Sequence, residues 1–208
     1  MNLDQIYDLH VESLVRVLAL RDIETEAHTQ RVAAAVQGLA YVWELPSNEI
    51  VHLRRGALLH DIGKIGVPDH ILRKNVPLTE AERAVISRHP VVAYELLFPI
   101  PYLRPALDIP YCHHEKWDGT GYPRGLKGVQ IPFAARLFAV VDTWDALLSD
   151  RPYRQAWSVD QTRDYMMTQS GKSFDPDVVS AFLSAVDATD EIAFCSPALN
   201  SPPLQFAG

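Results

Sequence analysis

His60-Asp61, inside Leu59-His60-Asp61-Ile62-Gly63-Lys64, sets an imidazole beside a carboxylate, and more residues fit for the same chemistry lie along the chain. Glu24 and His28 precede it; His89, His113-His114 and Asp142 follow. An imidazole nitrogen is a borderline metal ligand, and a carboxylate can bridge two cations. The set therefore suits two or more divalent ions with a water between them. A lone histidine is ordinarily a satisfied core or surface residue. Here five of the eight histidines belong to one set, on stripes otherwise filled by apolar side chains. Burying an unpaired carboxylate such as Asp61 or Asp142 is costly, so something cationic must offset it. Too few lysines and arginines share these stripes to serve all the acids, which favours metal over salt bridges. Helix neighbours point about 100° apart, so His113 and His114 reach one ion only at a helix end or bend, where Pro110 and Gly119 place them.

These residues need a scaffold, and the sequence predicts one that is nearly all helix. Ile6, Leu9, Leu14, Val17 and Leu18 recur at helical spacing, giving an amphipathic helix over the first twenty residues that packs on the domain or connects it to another. A second helix carries His28, Val32, Ala35, Val36, Leu39 and Trp43, with Glu24 one turn before His28. After Pro46-Ser47-Asn48, a third runs through Leu53 and Ala57 and leaves His60-Asp61 in its last turn, ended by Gly63, Gly66 and Pro68. Thr79-x-x-Glu82 is a capping box for a helix with Val85, Ile86, His89, Val92 and Leu96 inward, kinked by Pro90. A further helix is expected from about Leu103 to His114, then a glycine-rich loop over Trp117 to Ile131 of the kind that holds function. Leu137, Val140, Val141, Trp144 and Leu148 mark an apolar helix, and Ser158-x-x-Gln161 and Asp175-Pro176 open the last two.

Composition bounds the function. With 48% apolar and 22% charged residues, the chain is an ordinary globular protein with one substantial core. Its net charge of -7 argues against a nucleic-acid polymer as partner, yet suits a small anion held by a local cluster of Arg and Lys. No uncharged stretch is long enough to span a membrane, and Asp4 and Asp8 stand where a signal peptide would carry basic charge. Two cysteines, Cys112 and Cys195, make no disulfide framework, so a reducing cytoplasm is expected.

The ordered motifs resemble the HD-GYP domain, the bacterial branch of the HD phosphohydrolase superfamily associated with cyclic di-GMP hydrolysis. The match runs from about Arg21 to Leu183. It includes Arg21-Asp22 with Thr25 and His28, His60-Asp61-Ile62-Gly63-Lys64, His89-Pro90, His113-His114-Glu115, and Asp118-Gly119-Thr120-Gly121-Tyr122-Pro123. It continues through Asp142 with Asp145-Ala146-Leu147, Arg151-Pro152-Tyr153-Arg154, and Phe174-Asp175-Pro176. Departures are small: Glu26-Ala27 replaces a frequently Gly-rich step, Ala93 a common Gly, and neither removes a ligand.

The resemblance implies an all-α, HD-domain-like bundle over 21–190; the amphipathic or connector helix at 1–20 and a tail at 191–208 are read beside it from the chain itself. It implies that His28, His60, Asp61 and Asp142 form one metal centre and that His89, His113 and His114 hold a second ion, with Asp61 bridging. Glu24 is implied as ligand to a third. Iron or manganese suits this mixture of nitrogen and oxygen. Lys64, Tyr122, Arg151 and Arg154 are implied around the substrate, and Asp61, Lys64 and Asp145 at the chemistry. Lys64, Asp145 or a metal-bound water would protonate the leaving oxygen; the sequence does not choose. A metal-bridging hydroxide would open cyclic di-GMP to linear pGpG, with slower conversion to GMP left open. Two other readings compete: hydrolysis of another cyclic dinucleotide, and a non-catalytic sensor or docking module acting through the GYP loop. Expected partners are a receiver or sensor domain, or a diguanylate cyclase.

Overall fold

The computed structural model describes residues 2–21, 26–150 and 154–188. The described residues are mostly helical, with no strand among them and an isolated bridge between Ser170 and Phe174. Three long helices form the centre: α2 (Glu26–Val42), α3 (Ser47–Leu58) and, much later in the chain, α8 (Phe133–Leu148). Val32, Val36 and Leu39 of α2, Ile50 and Ala57 of α3, and Leu137, Phe138, Val141 and Trp144 of α8 are buried in one continuous core. Helix α1 (Leu3–Ala19) packs on this core through Val11 and Val15, and Tyr7 stacks on Tyr102 with ring centroids 3.8 Å apart. Arg55, only 2% exposed, is neutralised from α1 by Asp8 at 2.8 Å and Asp4 at 3.2 Å. The first helix is therefore seated on the domain. Its further use as a connector, like the tail beyond 188, lies outside the described residues.

Between α3 and α8 the chain breaks into short pieces, and here the structure departs from the sequence-based expectation. α3 ends at Leu58, so His60-Asp61 sits past the helix, in the turn before a 3-10 helix over Ile62–Gly66. α4 (Asp69–Leu72) follows. The helix expected through His89 is two: α5 (Glu80–Ile86), opened by the Thr79-Glu82 capping box, and α6 (His89–Leu97). Pro90 does not kink a long helix. It lies in the first turn of a new one, where its missing N–H leaves no bond unmade. Because the axis changes, one helical period cannot run across both. Val85 and Leu96 are exposed, while Ala93 and Leu97 are buried. Likewise the helix expected from Leu103 is a 3-10 segment (Pro101–Ala106) followed by α7 (Asp108–Cys112), with His113 as its C-cap. A loop containing a short 3-10 turn (Gly128–Gln130) leads to α8, then to α9 (Val159–Gln169) and α10 (Pro176–Ala188). Both the α5 and α9 capping boxes read from sequence are made. Among the described residues, no helix is long and apolar enough to cross a membrane.

Candidate metal centre

Broken helices suit this site because each break aims a side chain. Three histidines stand within a residue or two of a helix end, where carbonyls lack intrahelical partners. The Nδ1 of His60 meets the Ala57 carbonyl at 2.8 Å, that of His89 the Ile86 carbonyl at 2.8 Å, and that of His113 the Ile109 carbonyl at 3.0 Å. A carbonyl only accepts, so each Nδ1 carries the proton and each Nε2 presents a lone pair. These lone pairs converge. His89 Nε2 stands 3.2 Å from both His113 Nε2 and Asp61 Oδ1, and His60 Nε2 stands 3.1 Å from Asp61 Oδ2.

His28 reaches the same state by another route. It lies inside α2, and its Nδ1 donates at 2.6 Å to Asp145 of α8. Arg31 grips that carboxylate with two bonds, at 2.7 and 2.8 Å. The His28 Nε2 then faces Asp142 Oδ1 at 3.1 Å. The donor atoms fall into two groups, His28, His60 and Asp142 in one, and Asp61, His89, His113 and His114 in the other, each within 4.8 Å of its fellows. Asp61 stands between, one oxygen toward His60 and the other toward His89 and His113.

Lone pairs therefore face one another among these nitrogens and oxygens, which is repulsive unless a cation lies between; at Asp61 Oδ2, Lys64 Nζ at 2.6 Å supplies one. Protons are poor candidates for the histidine-rich group. Burial pushes His113 down to about 3, and burial followed by the neighbouring His113 and His89 holds His114 well below the usual imidazole range. Burial lowers His89 too, against the opposing pull of Asp61. Burial alone would raise Asp61, but Lys64, His60 and His89 outweigh it and keep the carboxyl well below its usual range. For Asp142 burial likewise raises the carboxyl, and the facing His28 and His60 more than offset it, so it too is lowered. Neutral imidazoles and ionised carboxylates are the forms that bind metal, and this donor set fits divalent ions of borderline character.

A packing constraint fixes the spacing. A Cβ on Gly63 would stand 1.9 Å from the His89 carbonyl oxygen and 2.6 Å from the Ala93 nitrogen. Only glycine lets the turn after Asp61 lie against the start of α6, which brings Asp61 to His89. Arg21 secures the same turn, donating to the Ile65 and Val67 carbonyls at 2.6 and 3.0 Å.

The residues expected around the substrate divide. Lys64 Nζ lies 2.6 Å from Asp61 Oδ2, at the edge of the centre. Tyr122 stacks on His114, with centroids 4.7 Å apart and rings 27° from parallel. Arg154, expected at the phosphates, instead donates to the Ala146 carbonyl at 2.6 Å, where the last turn of α8 leaves acceptors open, and its guanidinium lies over Trp157. Asp145, expected among the catalytic groups, lies behind His28. Burial would raise its pKa, but the bonds from His28 and Arg31 hold it at about 2. Glu24 and Arg151 lie outside the described residues. Arg31 was not singled out from sequence; its signal is a cation three residues after His28 on the same helix face.

The HD domain family model matches residues 12–178. The cyclic di-GMP phosphodiesterase response regulator RpfG of Xanthomonas campestris is 42% identical over 172 residues, 82% of this chain and 46% of that protein. The 3′3′-cGAMP-specific phosphodiesterase 2 of Vibrio cholerae is 37% identical over 179 residues, 85% of this chain and 34% of that protein. The chain thus spans less than half the length of either relative. Among solved structures, Bd1817, a HDG"Y"P protein from Bdellovibrio bacteriovorus, has a TM-score of 0.62 at 19% identity, covering 77% of this chain and 51% of that one. That likeness concerns the fold alone.

Proposed function

Because this chain belongs to the HD domain family and carries the motifs of its HD-GYP branch, we propose that it is a metal-dependent phosphodiesterase that hydrolyses cyclic di-GMP to linear pGpG. The observation that carries the reading is the division of Asp61 between two groups of donors whose lone pairs face one another. Two divalent ions held there supply a strong oxygen nucleophile near neutral pH and a sink for phosphoryl charge. His28, His60 and Asp142 would hold one and His89, His113 and His114 the other, with Asp61 common to both. Glu24 would add a third. The mixed donors favour iron or manganese.

The chain's own side chains supply orientation and protons. Lys64, beside Asp61 and at the edge of the centre, is suited to donate to a phosphoryl oxygen or to the leaving 3′-oxygen. Its position makes it a better proton donor than Asp145, whose two oxygens are taken by His28 and Arg31. Tyr122 forms a wall over His114, and Arg151 is the remaining candidate for a phosphate contact. Regulation by an attached receiver or sensor domain, or docking to a diguanylate cyclase, would belong to a longer protein.

A second reading, hydrolysis of 3′3′-cGAMP, is favoured by relatives named for that substrate at 37% and 33% identity. Cyclic di-GMP is preferred because relatives named for it reach 42%. The test is anaerobic purification with metal analysis and turnover of both cyclic dinucleotides on one sample. At least two metal ions per chain and faster cleavage of cyclic di-GMP are expected. Full activity after metal removal, or a metal-loaded protein that cleaves neither compound, would overturn the proposal.

A further inference from the structure

Glu115 directly follows His114, is 4% exposed, and belongs to neither group of donors. Its Oε1 accepts the Arg124 N–H at 2.7 Å and its Oε2 the Leu126 N–H at 2.9 Å. A buried carboxylate must find donors, and these come from nine and eleven residues further on, so one side chain ties the loop to its own beginning.

What the loop carries gives that tie a consequence. A Cβ on Gly121 would stand 2.3 Å from the Lys116 nitrogen and 2.5 Å from the His114 carbonyl oxygen, so the returning chain lies hard against 114–116. The Tyr122 N–H donates to the His114 carbonyl at 3.1 Å, and the Tyr122 ring covers the His114 imidazole. His60, His89 and His113 are each aimed by a main-chain carbonyl, whereas the His114 imidazole is bounded by rings. Tyr122 stacks on this imidazole at 4.7 Å, beside the His113 ring at 4.0 Å and the edge-on His89 ring at 4.9 Å, so it is the one neighbour from the loop that helps to set the ring plane.

We propose that Glu115 is a positioning residue: by holding the 116–126 loop closed it keeps Tyr122 on His114, and through that contact it sets one imidazole of the Asp61, His89, His113 and His114 group. The inference rests on the metal-dependent reading of the site, but half of its test does not. Glu115→Gln keeps the side-chain volume while turning one acceptor into an NH2 that faces a main-chain N–H. In the metal-free protein, hydrogen exchange at the Arg124, Leu126 and Tyr122 amides should quicken roughly ten- to a hundredfold, as for loss of a charge-assisted bond, with α2 and α8 amides unchanged. Mn(II) titration against a chelator should show the weakening confined to one of two binding steps. Unchanged exchange at Tyr122, or faster exchange there with both Mn(II) steps intact, would overturn the proposal. If Glu115→Gln does not fold, the parent chain decides: the three amides should open as one cooperative unit, and independent opening would refute the tie. Failure of the parent to bind Mn(II) would defeat the metal reading, and the exchange result would still judge Glu115.

Discussion

The two halves of the centre reach the same chemical state by different means. In the half built on Asp61, His89, His113 and His114, two rings are aimed by the backbone itself, through carbonyls of Ile86 and Ile109 at short helices. In the half built on His28, His60 and Asp142, His28 lies within a long helix and takes its aim from Asp145, 117 residues away and itself held by Arg31. Those two rings need only the right break in a helix. The His28 arrangement needs three side chains on two helices. Their protonation differs as well: burial keeps His113 down to about 3 and His89 lowered, while ionised carboxylates dominate around His28. Backbone-aimed ligands should therefore tolerate surface change well, and the side-chain relay should be open to selective damage.

Asp61→Ala is the severest test, since it strikes both halves. It removes an oxygen from each group and leaves Lys64 without its partner at 2.6 Å. Metal-ion stabilisation is worth several kcal/mol, so turnover should fall on the order of a thousandfold or more. Metal analysis should show fewer than two ions. Retention of two tightly held ions in this variant would break the claim that the halves share a carboxylate.

The convergence of these side chains was legible in the sequence because metal chemistry restricts residue type: few roles explain His60-Asp61, His89, His113-His114 and Asp142 on apolar stripes. The long helices α2, α3 and α8 were legible for a similar reason, each having one period and one buried face. The region from His60 to His114 was not. Its helices are four to nine residues long, too short for a period to declare itself, and a pattern carried across the break at Ser87-Arg88 put Val85 and Leu96 on the wrong side. The role of Asp145 was also hidden, because spacing along α8 shows its helix face but not which histidine of α2 it meets. The Arg154 bond to the end of α8 was equally hidden, because a helix-capping arginine and a phosphate-binding one look alike in sequence.

Asp145→Asn should separate the halves. The amide keeps the shape of the carboxylate, but its negative charge behind His28 is lost and Arg31 loses its ionic partner. Loss of a group that orients a metal-bound histidine typically weakens the ion ten- to a hundredfold. One of two Mn(II) binding steps should weaken by about that factor, and the other should hold. Equal weakening of both would mean that the ions bind as a unit and that the distinction between halves has no energetic content.

The smallest effect expected comes from Glu82, and it asks whether the backbone-aimed half depends on a helix at the surface. α5 buries none of its residues, yet it ends at Ile86, whose carbonyl receives the His89 ring. Its visible supports are the Thr79-Glu82 capping box and two bonds from Lys74 to Glu82 at 2.6 and 2.8 Å. The Lys74 bond, with the Thr79 N–H behind it, holds the Glu82 carboxyl at about 2, below its model-peptide value of 4.5. A depressed carboxyl favours folding above its unfolded pKa, so this contribution is full above pH 4.5 and fades as the pH falls toward 2. Glu82 lies at the surface, so solvent screening keeps the contribution small. Glu82→Gln should lower the melting temperature slightly at pH 7 and hardly at all near pH 2.5, with neither Mn(II) step moving by more than about twofold, a few tenths of a kcal/mol. The reason is that His89 is also held by Gly63 packing against its carbonyl, a contact that does not involve α5. If the Mn(II) step assigned to His89 weakens instead, the backbone aim is transmitted through α5, and that half is as dependent on side chains as the other.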